Sequence, residues 1–329
     1  MYDKTMINKI LQHFILGVND DSLSNNPNIK YCLKNNLGGV IFFTDNIISK
    51  KRIKRFVEEL KSESSSKLFL SIDQEGGRVE RTENIHNGKK YKSPLHILQE
   101  GEHALKQQTF EIAQELKEYG LNTNFAPVAD VNSNPDNPII GERAFSNDPA
   151  IVSKYVKLVS QIYIDNGILP VIKHFPGHGD TNKDSHIDLP VVDMDYEIFE
   201  KIHVRPFIEN INLPAIMISH VYYKMFDNAP TPATMSENVI EKYLIQKLHY
   251  QGMIVSDDMV MGALDKMDPV EKIISGIIAG LSIFIYRNSN DDTIDTIETA
   301  SKEISKSRFL TIRLESAGER ICQAKKFVK

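Results

Sequence analysis

The sequence predicts an α/β protein that forms a closed (β/α)8, TIM-type barrel in a single domain, residues 1–329. The prediction depends on eight short apolar runs, on the helix-like segments between them, and on the polar residues at their ends. At about 150 residues per domain the chain could hold two domains, but α/β barrels often exceed 200 residues as one unit. No change in composition indicates a linker between domains.

The apolar runs are expected to be the strands of the barrel. They are rich in isoleucine, valine and phenylalanine and do not alternate with polar residues, which is typical of parallel strands buried on both faces. An open doubly wound sheet usually has five or six such strands, so eight favour a barrel. The predicted strands are residues 14–18, 39–44, 68–73, 124–131, 170–174, 215–220, 253–257 and 282–287.

Amphipathic segments between the runs predict helices, because their apolar residues recur at helical spacing. Several of these segments end at a glycine, which suits a left-handed C-cap. The clearest helices are residues 104–119, 148–166, 196–210, 237–249 and 268–279, and the glycines are Gly120, Gly167, Gly252 and Gly280.

Composition and charge limit the possible partners. The chain is 41% hydrophobic and 25% charged, which is ordinary for a soluble globular protein. Its 39 basic and 44 acidic residues give a net charge of −5, which does not attract nucleic acid or an anionic membrane. We therefore expect neither a nucleic-acid partner nor a membrane partner, and nothing in the sequence indicates an oligomeric state.

Cysteine use and the N-terminal residues favour a reduced, cytoplasmic protein. Cys32 and Cys322 lie far apart and form neither a metal-binding motif nor a disulfide framework. The first apolar stretch is interrupted by His13 and Asn19, unlike the centre of a signal peptide. No apolar run reaches the ~18 residues that span a bilayer.

Polar residues at the carboxyl ends of five runs predict the functional site. These ends meet on one face of a barrel, where active sites lie. Long loops, residues 132–149 and 176–192, follow the fourth and fifth runs, and such loops are usually functional. The polar residues are those at 73–78, 130, 173–174, 219–220 and 256–258.

Three histidines between residues 174 and 186, in and just before the second loop, raise the possibility of a metal. His174 and His178 have the spacing of a helical zinc pair, but Pro176, Gly177 and Gly179 break a helix. We therefore predict no metal and no other cofactor. A metal-dependent hydrolase that uses a non-helical loop is kept as an alternative.

Asp184 and His186, in the same loop, predict acid–base chemistry. A carboxylate two residues from a histidine can accept its ring N–H and orient the imidazole. A histidine held in this way can act as general acid and then as general base near neutral pH.

Asp257 and Asp258 end the seventh run. Adjacent strand residues point to opposite faces, so at most one carboxylate points directly into the barrel mouth. One carboxylate opposite a histidine suffices for a double displacement through a covalent intermediate. We expect Asp258 to cap a helix that follows the strand.

These motifs resemble the β-N-acetylhexosaminidases of glycoside hydrolase family 3, of the single-domain type that acts in bacterial cell-wall recycling. The string at residues 173–186 is typical of the N-acetylglucosaminidase branch rather than of the β-glucosidases. Further matches follow in order at residues 38–43, 73–81, 124–131, 141–145, 233–236 and 256–259.

The resemblance implies a retaining exo-β-N-acetylglucosaminidase without a cofactor. Its expected substrates are β-linked glycosides, above all muropeptide fragments of peptidoglycan. Asp257 matches the nucleophile, and His186 matches the acid/base with Asp184 as its partner. The residues that match those holding the hydroxyls and N-acetyl group of the sugar are Asp73, Arg81, Arg143, Lys173 and His174.

Two departures and two further alternatives accompany the resemblance. Asp45 stands where relatives commonly have arginine, and the chain has no tryptophan to stack on a sugar.

A β-N-acetylglucosaminide phosphorylase is an alternative, because a histidine acid/base repels phosphate less than a glutamate does. A non-catalytic sugar-binding barrel is another, although it would not need Asp257, Asp184 and His186.

Overall fold

A computed structural model describes residues 4–86, 90–134, 136–179 and 189–328. Within these residues the strands are β1 (Phe14–Gly17), β2 (Gly39–Phe42), β3 (Phe69–Ile72), β4 (Thr123–Asn124), β5 (Leu169–Pro170), β6 (Ile172–Phe175), β7 (Val191–Val192), β8 (Ala215–Ile218), β9 (Tyr222–Tyr223), β10 (Met253–Asp258) and β11 (Ile283–Tyr286). Nine of them form one parallel sheet in the order β5-β4-β3-β2-β1-β11-β10-β8-β6, and β7 pairs with β9.

The sheet is a nearly closed barrel, because its two ends are consecutive in the chain. β5 pairs with β4 and β6 pairs with β8, and only Val171 separates β5 from β6. Residues 169–175 thus occupy one barrel position, and the parallel sheet has the eight positions that the apolar runs predict. The α/β barrel is confirmed, while the assignment of residues 1–329 to one domain stays a prediction.

The fourth strand is much shorter than predicted. Residues 124–131 were expected to be extended within the sheet, but β4 ends at Asn124. Pro127 lies in the predicted strand, and a proline has no N–H to donate to a neighbouring strand. Beyond Asn124, the Phe125 amide donates to the Ile72 carbonyl, and an isolated bridge pairs Val128 with Lys173.

Helices surround the barrel. They are α1 (Lys4–Leu11), α2 (Pro27–Lys34), α3 (Lys50–Glu63), α4 (Pro94–Gln99), α5 (Glu102–Glu118), α6 (Pro149–Asp165), α7 (Tyr196–Phe199), α8 (Arg205–Glu209), α9 (Pro269–Ala279), α10 (Asp291–Ser305) and α11 (Arg308–Ala324), with π-helical segments at Glu200–Val204 and Asn238–Lys247. Pro206 cannot donate a hydrogen bond to the preceding turn, which accounts for the wider turn between α7 and α8.

Three of the four predicted C-cap glycines have a positive φ. The values are 78° for Gly120, 78° for Gly167 and 115° for Gly280. The prediction for Gly252 is wrong, because His249, with φ of 58°, takes the left-handed position after the second π-helical segment. Gly252 is instead required by close packing, since a Cβ there would lie 2.2 Å from the Tyr250 hydroxyl oxygen.

Apolar side chains cover both faces of the strands, which explains why the apolar runs do not alternate. Ile15 and Phe69 belong to the cluster inside the barrel, whereas Leu16 and Leu70 pack toward the helices. The helices that the structure describes include none with the length and apolar character needed to cross a bilayer.

Candidate active site

A cavity of about 180 Å³ lies where the carboxyl ends of the barrel strands meet. The six predicted site residues that the structure describes all line it: Asp73, Arg81, Arg143, Lys173, His174 and Asp257. Asp184 and His186 lie outside the described residues, so their predicted roles stay predictions.

Glu75 organises the cations on one side of the cavity. Its carboxylate accepts two hydrogen bonds from Arg143, each 2.8 Å long, and lies 2.6 Å from Lys173 Nζ. Lys173 also donates to Asp73 at 2.7 Å. Burial alone would raise the pKa of Glu75, but Arg143 and Lys173 outweigh burial and hold it well below its usual range. Two carboxylates therefore balance two buried cations.

The sequence placed Glu75 among the polar residues 73–78 of the predicted site but gave it no individual role. The signal that could have identified it is spacing: Asp73 and Glu75 are two residues apart just after β3, and such residues share a face in extended chain. Arg143 reaches them from the short turn Gly141–Arg143 in the first long loop.

Asp130 orients His174. Its Oδ2 atom accepts a 2.6 Å hydrogen bond from His174 Nδ1, and its Oδ1 atom accepts the His178 backbone amide at 2.7 Å. Because Nδ1 is the donor, a neutral His174 presents Nε2 as an acceptor. Burial lowers the pKa of His178 to about 4, so this imidazole is neutral near pH 7. Within the described ranges no three candidate ligands are grouped to hold a metal ion.

Asp257 contributes a carboxylate to the cavity from the end of β10. Burial acts to raise its pKa, but His220, His174, the Asp258 amide and Lys173 together lower it below the usual value. The carboxylate is therefore ionised at neutral pH, as a nucleophile requires.

Asp258 does not cap a helix, so that prediction is wrong. β10 continues through Asp258 with an irregularity in its pairing to β11. As a result, the Asp258 carboxylate accepts the backbone amides of Val260 and Arg287, both at 3.1 Å, and also pairs with Arg287 Nε. No helix begins until Gly262, where a short 3₁₀ turn forms.

An aromatic ring is present in the cavity despite the lack of tryptophan. Phe43 lines the cavity, and the Arg81 guanidinium lies 5.6 Å from its ring centre. Asp45, two residues further on, is exposed and is not among the residues that line the cavity.

Known proteins match most of this chain. A β-hexosaminidase A of Pseudoalteromonas piscicida is 36% identical over 75% of this chain, but the match spans only 45% of that protein. A β-hexosaminidase of Idiomarina loihiensis is 30% identical over 80% of both chains. Among solved structures, a family 3 β-N-acetylglucosaminidase from Paenibacillus sp. superposes with a TM-score of 0.89, at 29% identity, over 98% of this chain and 62% of its own.

The fold is also found in a chain of similar extent. A β-N-acetylhexosaminidase from Beutenbergia cavernae, 23% identical, superposes with a TM-score of 0.87 over 98% of both chains. The family model described as the glycosyl hydrolase family 3 N-terminal domain matches residues 9–324. This chain therefore belongs to glycoside hydrolase family 3.

Proposed function

We propose that the protein is a retaining β-N-acetylglucosaminidase that removes terminal N-acetylglucosamine from β-linked glycosides. The observation that carries the proposal is Asp257, an ionised carboxylate in a cavity that is also lined by His174 and by two ion pairs, Asp73–Lys173 and Glu75–Arg143. The names of the hexosaminidase relatives support the choice of sugar.

In the first step, Asp257 attacks the anomeric carbon while the bond to the leaving oxygen breaks. His186 donates the proton that this oxygen needs, and a covalent glycosyl-aspartate results. In the second step, His186 takes a proton from water as the water oxygen attacks the same carbon and Asp257 leaves. Two inversions at one carbon retain the β configuration. Asp184 orients the imidazole of His186 in both steps.

We further propose muropeptide fragments as substrates and the cytoplasm as the site of the reaction. Both cysteines are free, and Cys32 is buried. Free cysteines are compatible with a reducing compartment.

Phosphorolysis is the second candidate. It is favoured by Arg81, whose guanidinium lines the cavity. Among residues 4–86, 90–134, 136–179 and 189–328, no carboxylate forms an ion pair with Arg81. An additional anion such as phosphate could bind there.

Aryl β-glycosides should distinguish these activities. We expect the N-acetylglucosaminide to be cleaved far faster than the glucoside, because only the former fills the position of the acetamido group. Product analysis with and without inorganic phosphate should give free N-acetylglucosamine in both cases. A sugar 1-phosphate would support the phosphorylase instead, and preference for the glucoside would contradict the proposed specificity.

The Glu75→Gln variant should bind the sugar poorly and unfold at a lower temperature than the wild type, because it removes one member of a buried set of ion pairs. The substitution keeps the shape of the side chain but leaves Lys173 and Arg143 with one carboxylate between them. Because hydrogen bonds to charged groups contribute about 1.5–3 kcal/mol, we expect KM to rise about 10- to 100-fold, with a smaller change in kcat. Steady-state kinetics on the aryl N-acetylglucosaminide measures both constants.

Glu142→Gln is the matched control for Glu75→Gln. Glu142 lies in the same turn as Arg143 but pairs with His96 on the surface, so KM should stay at the wild-type value. A wild-type KM for Glu75→Gln would show that Glu75 does not position the two cations.

A further inference from the structure

Arg287 lies at the rim of the cavity and has no role in the mechanism described above. It follows β11, next to β10 in the barrel, and it lines the same cavity as Asp257. Its side chain is 46% exposed, whereas that of its partner Asp258 is 12% exposed. The guanidinium therefore lies between the cavity and solvent.

The backbone and the side chain of Arg287 are both held in place. Its amide donates to Asp258 Oδ1 at 3.1 Å, and its Nε atom donates to Oδ2 of the same carboxylate. On the other side the end of β1 packs closely, since a Cβ on Gly17 would lie 1.9 Å from the Arg287 carbonyl oxygen. A side chain fixed before binding loses less conformational freedom when a ligand arrives.

Asp258 does not use all the donors of this guanidinium. An arginine side chain has five N–H donors, and Asp258 accepts from Nε. In the part of the chain that the structure describes, no other residue accepts a hydrogen bond from Arg287. The remaining N–H groups have the planar geometry that binds a carboxylate with two parallel hydrogen bonds.

A purely structural ion pair does not account for this arrangement. Oδ1 of Asp258 accepts the backbone amides of Val260 and Arg287, so only Oδ2 needs the guanidinium, and Nε alone supplies that hydrogen bond. Stabilising Asp258 therefore gives no role to the other N–H groups of Arg287.

The barrel order separates Arg287 from the groups that are proposed to hold the terminal sugar. Asp73 follows β3, Arg143 follows β4, and Lys173 and His174 belong to β6. β11 lies on the opposite side of the ring, between β1 and β10. A sugar held by the first group would thus have Arg287 across the mouth, beside the part of the substrate that extends outward.

We infer that Arg287 binds a carboxylate on the leaving-group side of the substrate and so selects acidic aglycones. This inference rests on the proposed function, and it specifies the class of aglycone. In a peptide-free disaccharide of N-acetylglucosamine and N-acetylmuramic acid, the corresponding group is the lactyl carboxylate of the second sugar.

The test compares one disaccharide in two forms: N-acetylglucosamine β-linked to N-acetylmuramic acid, with its carboxylate free or as the methyl ester. The measured quantity is the ratio of kcat/KM for the acid to kcat/KM for the ester. We expect Arg287→Gln to lower this ratio about 10- to 100-fold, through KM for the acid, because a charge-assisted hydrogen bond is lost. Arg287→Lys keeps the positive charge but not the planar guanidinium, so its ratio should lie between those of the wild type and Arg287→Gln.

Arg205→Gln is the control, because Arg205 is a half-exposed arginine that pairs through Nε with Glu209 and does not line the cavity. It should keep the wild-type ratio. An unchanged ratio for Arg287→Gln, or an equal loss on acid and ester, would overturn the inference, since equal loss is what a structural role through Asp258 produces. If the wild-type protein cleaves the aryl N-acetylglucosaminide but neither disaccharide, the muropeptide substrate and the inference both fail while the glycosidase activity stands.

Discussion

Replacement of Asp257 by alanine should abolish nearly all turnover and leave the fold intact. Loss of a nucleophile that forms a covalent intermediate lowers kcat on the order of 10⁴- to 10⁶-fold. The barrel should persist, because Asp257 is only partly buried and faces the cavity, and its hydrogen bond is to the neighbouring Asp258 amide. Kinetics on an aryl N-acetylglucosaminide and circular dichroism of the same sample measure the two effects.

Two further measurements sharpen the assignment of Asp257. Asp45→Ala removes an exposed carboxylate outside the cavity and should leave activity unchanged. A fluorinated N-acetylglucosaminyl donor should trap the intermediate, and mass spectrometry should find the label on the peptide that contains Asp257. Retention of the β configuration would not by itself identify Asp257 as the nucleophile, because attack by the acetamido oxygen of the substrate also retains configuration. A label on another carboxylate, or near-normal hydrolysis by Asp257→Ala, would refute the assignment.

The His186→Ala variant should lose activity mainly on substrates with poor leaving groups. A sugar leaving group needs a proton in the transition state, whereas a nitrophenolate largely does not. General acid catalysis is worth about 10²- to 10⁴-fold, so most of this factor should appear only with a natural disaccharide. Rates of the variant and the wild type on the disaccharide and on a nitrophenyl glycoside test this.

Asp184→Ala should show a weaker form of the same pattern, because the imidazole remains but loses its orientation. His96→Ala, which changes a half-exposed histidine paired with Glu142, should alter neither rate. If Asp184 and His186 only stabilised the loop, their replacement would displace the whole site, and activity on both substrates would fall equally. Equal losses would therefore exclude the acid role of His186.

The barrel and the place of the site could be predicted from local patterns. Strands buried on both faces need apolar side chains at successive positions, as Ile15 and Leu16 show, and this is visible as a continuous run in the sequence. Parallel strands bring their carboxyl ends together, so the polar residues that follow them were expected to meet. Asp73, Lys173 and Asp257 line one cavity for this reason.

Pairings between distant residues could not be predicted in this way. Glu75 and Arg143 are 68 positions apart, and only the folded loop brings them into contact. Asp258 has the residue type of a helix cap, but continuation of β10 aims it at Arg287 instead. Local preference failed there because a long-range strand pairing outweighed it.

The balance of charge around Glu75 also limits how this site can change during evolution. Lys173 and Arg143 are buried and are matched by the carboxylates of Asp73 and Glu75. Removing one member of a buried ion pair is strongly destabilising, whereas replacing a complete set is often tolerated. The effects of mutations at such neighbouring residues are not additive. If the four residues change one at a time, the protein passes through variants in which a buried charge has lost its partner. These four side chains should consequently be inherited together or replaced together.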